Sequence, residues 1–174
     1  MRVFVTGTGR CGTTTFHRAC RHITNYTTRH ETPITAALAY PDRHIEVSPH
    51  LCWVMPALTA RYPHAIFVHL RRCREEVIAS WLERGPSRGP GHSARMAHMR
   101  FGDDFQQVCE LYYDIMVAQI DNYANRCNLH QFWLREMPDR WREFWDLISA
   151  EGDFEASAAE WDNRYNASKA KASA

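Results

Sequence analysis

At 174 residues, 45% of them hydrophobic and 24% charged, the chain has the size of one domain that can bury a core between layers of secondary structure. Its 21 basic and 20 acidic residues leave a formal net charge of +1, which excludes a global field that would recruit nucleic acid or an anionic membrane. The six cysteines include no Cys-x-x-Cys pair and no apolar run approaches the roughly 20 residues of a membrane span, so a zinc ribbon, a dense disulfide framework and a transmembrane helix are not expected. No signal peptide is expected ahead of the first strand, and reduced thiols point to a cytoplasmic protein.

The first predicted strand runs through the β-branched Val3 and Val5 and stops at Gly7, Gly9 and Gly12, where Thr13, Thr14 and Thr15 open a helix expected over residues 14–22. Glycines permit a partly left-handed path and close backbone approach. The first N–H groups of a helix have no partner inside it, so a strand, glycine loop and helix start in this order make an anion site. Threonine hydroxyls add donors, and Arg10 adds a cation that stays protonated. Gly7 and Gly12 have Walker A spacing, but Thr13 stands where the lysine should be. A loop without that lysine suits a single phosphate rather than a nucleoside triphosphate.

Residues 26–33 (YTTRHETP) are polar and turn-rich. They hold Glu31, which fits a solvated loop carboxylate or a cap for the segment after Pro33. A second strand is expected at His44–Val47, ended by Ser48-Pro49-His50 before a helix over 51–61. Strand ends beside a phosphate loop carry the chemistry of open α/β sheets, which makes His50 a candidate. A buried strand follows at Ile66–Arg71, and Arg72 lies eight residues ahead of Ser80 on the succeeding helix. Residues 83–98 break all periodicity and carry several arginines, so 85–100 is expected to be a flexible lid or substrate loop. A helix over 103–126, a strand over 129–134, a helix from Pro138 and a short helix over 154–165 complete the domain, 1–166. The tail, 167–174, is expected to be disordered.

The run Arg10-Cys11-Gly12-Thr13-Thr14 resembles the 5′-phosphosulfate loop of sulfotransferases that use 3′-phosphoadenosine 5′-phosphosulfate (PAPS), in the arginine form of the tyrosylprotein and bacterial branch. Arg72 and Ser80 have the spacing of that family's Arg-x-Pro-x-x-x-x-x-Ser element, with Arg74 in place of the proline. The resemblance implies a three-layer P-loop-NTPase-like α/β fold, with a central, mainly parallel sheet and helices on both faces. It implies that Gly9, Arg10, Cys11, Gly12, Thr13 and Thr14 hold the 5′-phosphate and that Arg72 and Ser80 hold the 3′-phosphate. His30-Glu31-Thr32 stands where the tyrosylprotein branch has a Glu-Glu-Thr element carrying the catalytic base, so Glu31 is the first candidate base and His50 the second. Arg10 would stabilise the transferring group, no metal ion is required, and 3′,5′-adenosine bisphosphate is the implied product. The acceptor is expected to be a small molecule with a hydroxyl or amine. The family's C-terminal Arg-Lys-Gly clamp is not visible. A divergent P-loop kinase using ATP and a non-catalytic nucleotide-binding module remain open.

Overall fold

Five strands make one sheet in the computed structural model, which describes residues 1–35, 37–86, 104–163 and 165. They are β1 (Arg2–Gly7), β2 (Thr27–His30), β3 (His44–Val47), β4 (Ile66–Arg71) and β5 (Asn128–Trp133). Their order across the sheet is β2-β3-β1-β4-β5, and every neighbouring pair is parallel. All strand C-termini therefore lie along one edge. The chain leaves β1 for β2 and β3 on one side and then crosses to β4 and β5 on the other. The loop after β1 sits at that reversal, where open parallel sheets form a crevice.

Helices α1 (Thr13–Cys20), α2 (Met55–Arg61), α3 (Arg74–Arg84), α4 (Phe105–Asp121), α5 (Met137–Leu147) and α6 (Phe154–Ala159) flank the sheet. Strand residues alternate between its faces. Val3, Val5 and Val68 pack with Phe16 of α1 and with Trp141 and Phe144 of α5. Phe4 and Phe67 pack with Leu58 of α2, Val77 of α3 and Met116 of α4. The three-layer α/β architecture expected from the sequence is thus present, with a fully parallel sheet. Burying each of these large side chains contributes about 1.5–3 kcal/mol. Trp141 also anchors α1. Its Nε1 donates to Ser157 Oγ at 3.0 Å, and that hydroxyl donates to the Ala19 carbonyl at 2.7 Å.

The segment expected to be a turn, 26–33, contains strand β2. Its alternating exposed and half-buried residues mark it as a polar edge strand. Two buried groups fasten it. His44 accepts or donates at Nδ1 to Thr27 Oγ1 (2.8 Å), and its Nε2 lies 3.2 Å from Glu46 Oε2. Glu46 Oε1 in turn accepts from the Thr32 N–H at 3.1 Å. A carboxylate with no exposed surface is tolerable because both its oxygens are engaged. The helix expected over 51–61 begins as a 3-10 turn, Pro49–Val54, and becomes α2 only at Met55. Pro56 explains the change, since it cannot donate within a helix but suits a first turn. Helix α4 stops at Asp121 rather than near 126, and the last predicted helix is α6 followed by a 3-10 turn, Glu160–Asp162. Apart from Gly85 and Pro86, the predicted lid over 85–100 lies outside the described residues, as does the tail over 167–174. Among the described residues no helix is long and apolar enough to cross a membrane.

Candidate active site

The loop between β1 and α1 takes a left-handed path, with φ of 74° at Gly9, 56° at Arg10 and 94° at Gly12. Successive residues of this kind turn their N–H groups into a concavity suited to an anion. Gly7 is required for another reason. A Cβ there would stand 2.5 Å from both Cys11 Sγ and the Leu70 carbonyl oxygen. Gly12 caps α1 without any side-chain acceptor, and the first helical bond is Phe16 N–H to the Gly12 carbonyl at 2.9 Å. The N–H groups of Thr13, Thr14 and Thr15 therefore have no acceptor within the helix. No acidic residue occupies the first turn, and His17 and Arg18 lie in the last. The helix dipole is left to favour an anion at the loop.

Across the cleft, α3 presents Ser80. Arg10 Nε donates to Ser80 Oγ at 2.9 Å, and Arg72 donates from one terminal nitrogen to the Arg10 carbonyl at 3.0 Å. Residues of the two predicted phosphate sites are thereby in direct contact. Arg72 also pairs with Glu76 at 2.8 Å, and its carbonyl accepts from the Tyr113 hydroxyl at 3.1 Å. Burial, then the Arg84 and Arg72 cations, lower the pKa of Arg10. The Glu83 carboxylate opposes that shift, and like charges gathered in this way favour a bound anion. Arg74, which stands in place of the family's proline, forms a two-bond pair with Asp114 of α4 at 2.9 Å each.

The opposite wall carries the candidate bases. Glu31 follows β2 with φ 52°, and its N–H donates to the Val47 carbonyl at 3.0 Å. With the next N–H held by Glu46, its backbone is fixed on both sides while its side chain is half exposed. His50 is exposed on the 3-10 turn, and its N–H donates to Ser48 Oγ at 3.2 Å. His30, last in β2, stacks on His17 of α1 with ring centres 5.4 Å apart. Burial, followed by the neighbouring His30, lowers the His17 pKa to about 4.

Every predicted site residue except Cys11 lines one cleft of about 1020 Å³. The Cys11 side chain is wholly buried beneath the loop, where burial raises its thiol to about 11. Sequence reasoning did not include His30, Trp133, Leu134 and Trp161 in the cleft, although all four line it. Trp133 ends the last strand of a parallel sheet, and that position was the signal available. Leu134 packs where a Cβ on Gly12 would fall, joining the β5 end to the loop.

No family profile and no curated protein matches this chain by sequence. Among solved structures it is similar to mouse sulfotransferase SULT7A1, complexed with PAP, with a TM-score of 0.63 and 13% identity. The match covers 92% of this chain and 62% of that one. The chain thus spans about three fifths of that protein's length and has the P-loop-like fold of a sulfotransferase.

Proposed function

We propose that the chain is a sulfotransferase that moves the sulfuryl group of PAPS to a hydroxyl or amine of a small-molecule acceptor. The observation that carries it is the Arg10–Ser80 contact, with Arg72 on the Arg10 carbonyl, which joins two anion-binding elements in one cleft. A nucleotide with phosphates on both sides of its ribose matches that pairing. The crowded Arg10, Arg72 and Arg84 cations and the left-handed glycine loop supply a fitting charge and shape. The fold is shared with a sulfotransferase whose structure contains PAP.

In this reading the N–H groups of the loop and α1, with the hydroxyls of Thr13 and Thr14, bind the 5′-phosphate. Arg72 and Ser80 bind the 3′-phosphate and so select against ATP. PAPS supplies an activated sulfuryl group. Arg10 neutralises negative charge that develops on the bridging oxygen, a contact of a kind commonly worth about 10²–10³ in rate. Glu31, with His50 as second candidate, receives the proton of the acceptor. Unbridged cysteines suit a reducing, cytoplasmic setting.

Calorimetric titration with 3′,5′-adenosine bisphosphate, beside 5′-AMP and ATP with magnesium, tests the proposal. Selective binding of the bisphosphate, weakened in Arg72→Ala, supports it. Preference for ATP with magnesium makes the chain a divergent kinase. Bisphosphate binding that depends on Arg72, without turnover in an acceptor screen with PAPS, leaves a nucleotide-binding module.

A further inference from the structure

We propose, resting on the sulfotransferase reading, that His30 is the proton store behind Glu31: the carboxylate meets the acceptor, and the imidazole then takes the proton from it. Three observations place it there. His30 Nε2 is buried and, among the described residues, has no hydrogen-bond partner. Such a nitrogen is costly to leave unpaired. Glu31 Oε1 lies 3.9 Å away, too far for a hydrogen bond and near enough for one rotation of a half-exposed side chain to make one. Both residues line the cleft that holds the phosphate loop.

The ring is held in place for this task. His30 faces α1, where His17 stacks on it with planes inclined by 27°, and His17 Nδ1 is 3.3 Å from Thr28 Oγ1 on the same strand. The charged and titratable groups around the pair are His17 and Arg18 of α1, Arg21 just after that helix, Glu46 of β3 and Glu31 itself. Burial lowers the His30 pKa, and the Glu31 and then Glu46 carboxylates oppose that shift. A neutral imidazole with an available lone pair is the resting form at neutral pH. Once protonated, it is paired with the adjacent carboxylate.

The step balances. The acceptor O–H bond breaks as its oxygen bonds to sulfur, and the proton passes to a Glu31 oxygen. The bridging S–O bond breaks, with its electron pair leaving on the 5′-phosphate of the nucleotide. The carboxyl O–H then breaks as the Nε2–H bond forms, restoring the carboxylate. His30 acts through Glu31 and is a positioning residue, not one that meets the acceptor.

The test uses the full chain with 15N-labelled histidine, free and with 3′,5′-adenosine bisphosphate, together with pH profiles of kcat using PAPS and 2-naphthol. His30 Nε2 should carry no proton at neutral pH, and Glu31→Gln should move its titration to lower pH, because the carboxylate that favours the imidazolium is gone. His30→Gln should lower kcat on the order of 10²-fold, move the acid limb of the profile to lower pH and leave bisphosphate affinity unchanged. A protonated Nε2 at neutral pH, a His30 titration indifferent to Glu31→Gln, or an acid limb that stays in place in His30→Gln overturns the proposal. Failure of the bisphosphate to bind overturns the sulfotransferase reading instead, and the His30–Glu31 coupling is still read in the free protein.

Discussion

Arg10 and Ser80, seventy positions apart, are joined by a 2.9 Å hydrogen bond from the guanidinium Nε to the hydroxyl oxygen. The bond links the tip of the β1–α1 loop to the second turn of α3. Arg72 reinforces it by donating to the Arg10 carbonyl. A ligand that contacts either element therefore feels the other.

Arg72→Ala removes a charged donor and releases the loop, whereas Ser80→Ala removes only a neutral hydroxyl. A hydrogen bond to a charged group is worth about 1.5–3 kcal/mol, and Arg72 adds to it a full charge and its hold on the Arg10 carbonyl. Bisphosphate affinity should fall about 100-fold in Arg72→Ala and about 10-fold in Ser80→Ala. Affinity for 5′-AMP should change less in both. Calorimetry on the two variants checks the order, and equal losses for both nucleotides would place Arg72 and Ser80 away from the 3′-phosphate.

Gly7→Ala tests the loop's packing. The new Cβ meets Cys11 Sγ and the Leu70 carbonyl oxygen, both at 2.5 Å. Overpacking of this kind costs about 1–3 kcal/mol, and here one obstacle is backbone of β4 that cannot turn aside. Chemical denaturation should show that loss. Adding Cys11→Ser to Gly7→Ala should recover only part of it, because the carbonyl clash remains.

The glycine loop, its helix and the Arg72–Ser80 pair were legible because each rests on local spacing in the sequence. The central strands were legible from their continuous apolar runs. Strand β2 was not, since Thr27, Thr28, Arg29 and His30 offer no hydrophobic alternation and are held by pairing with β3 and by the buried His44. The inward turn of Cys11 and the capture of Arg74 by Asp114 depend on partners brought by the fold from β4 and α4. No local pattern encodes either. The aromatic wall at Trp133 and Trp161 had the same obstacle, for tryptophans at these spacings read equally well as core.

Glu46→Ala should separate support of the site from nucleotide binding. Glu46 is wholly buried, accepts from the Thr32 N–H and lies 3.2 Å from His44 Nε2. Its removal leaves both groups without that partner, a loss of about 1–3 kcal/mol in stability. It also frees the backbone next to Glu31. The expected result is a lower kcat for sulfuryl transfer with bisphosphate affinity within about twofold, since a displacement near 1 Å can cost on the order of 10²-fold in rate. Kinetics and calorimetry on one preparation check it. A matching loss of bisphosphate affinity would show that Glu46 supports the whole cleft.

The His17–His30 stack makes stability depend on pH in a defined direction. Burial, then the neighbouring His30, takes His17 from an ordinary value of 6.5 to about 4 in the folded chain. Between those values the unfolded chain binds the proton and the folded chain does not. Stability is then fully present above about pH 6.5 and is lost as pH falls towards 4, the sign required when the unfolded state takes up more protons. The ring is only partly buried, so screening reduces the contribution to on the order of 1 kcal/mol. Urea unfolding at a series of pH values should show a steeper loss in the native chain than in His17→Gln across this window. Parallel curves for the two proteins would mean that His17 titrates alike in the folded and unfolded states.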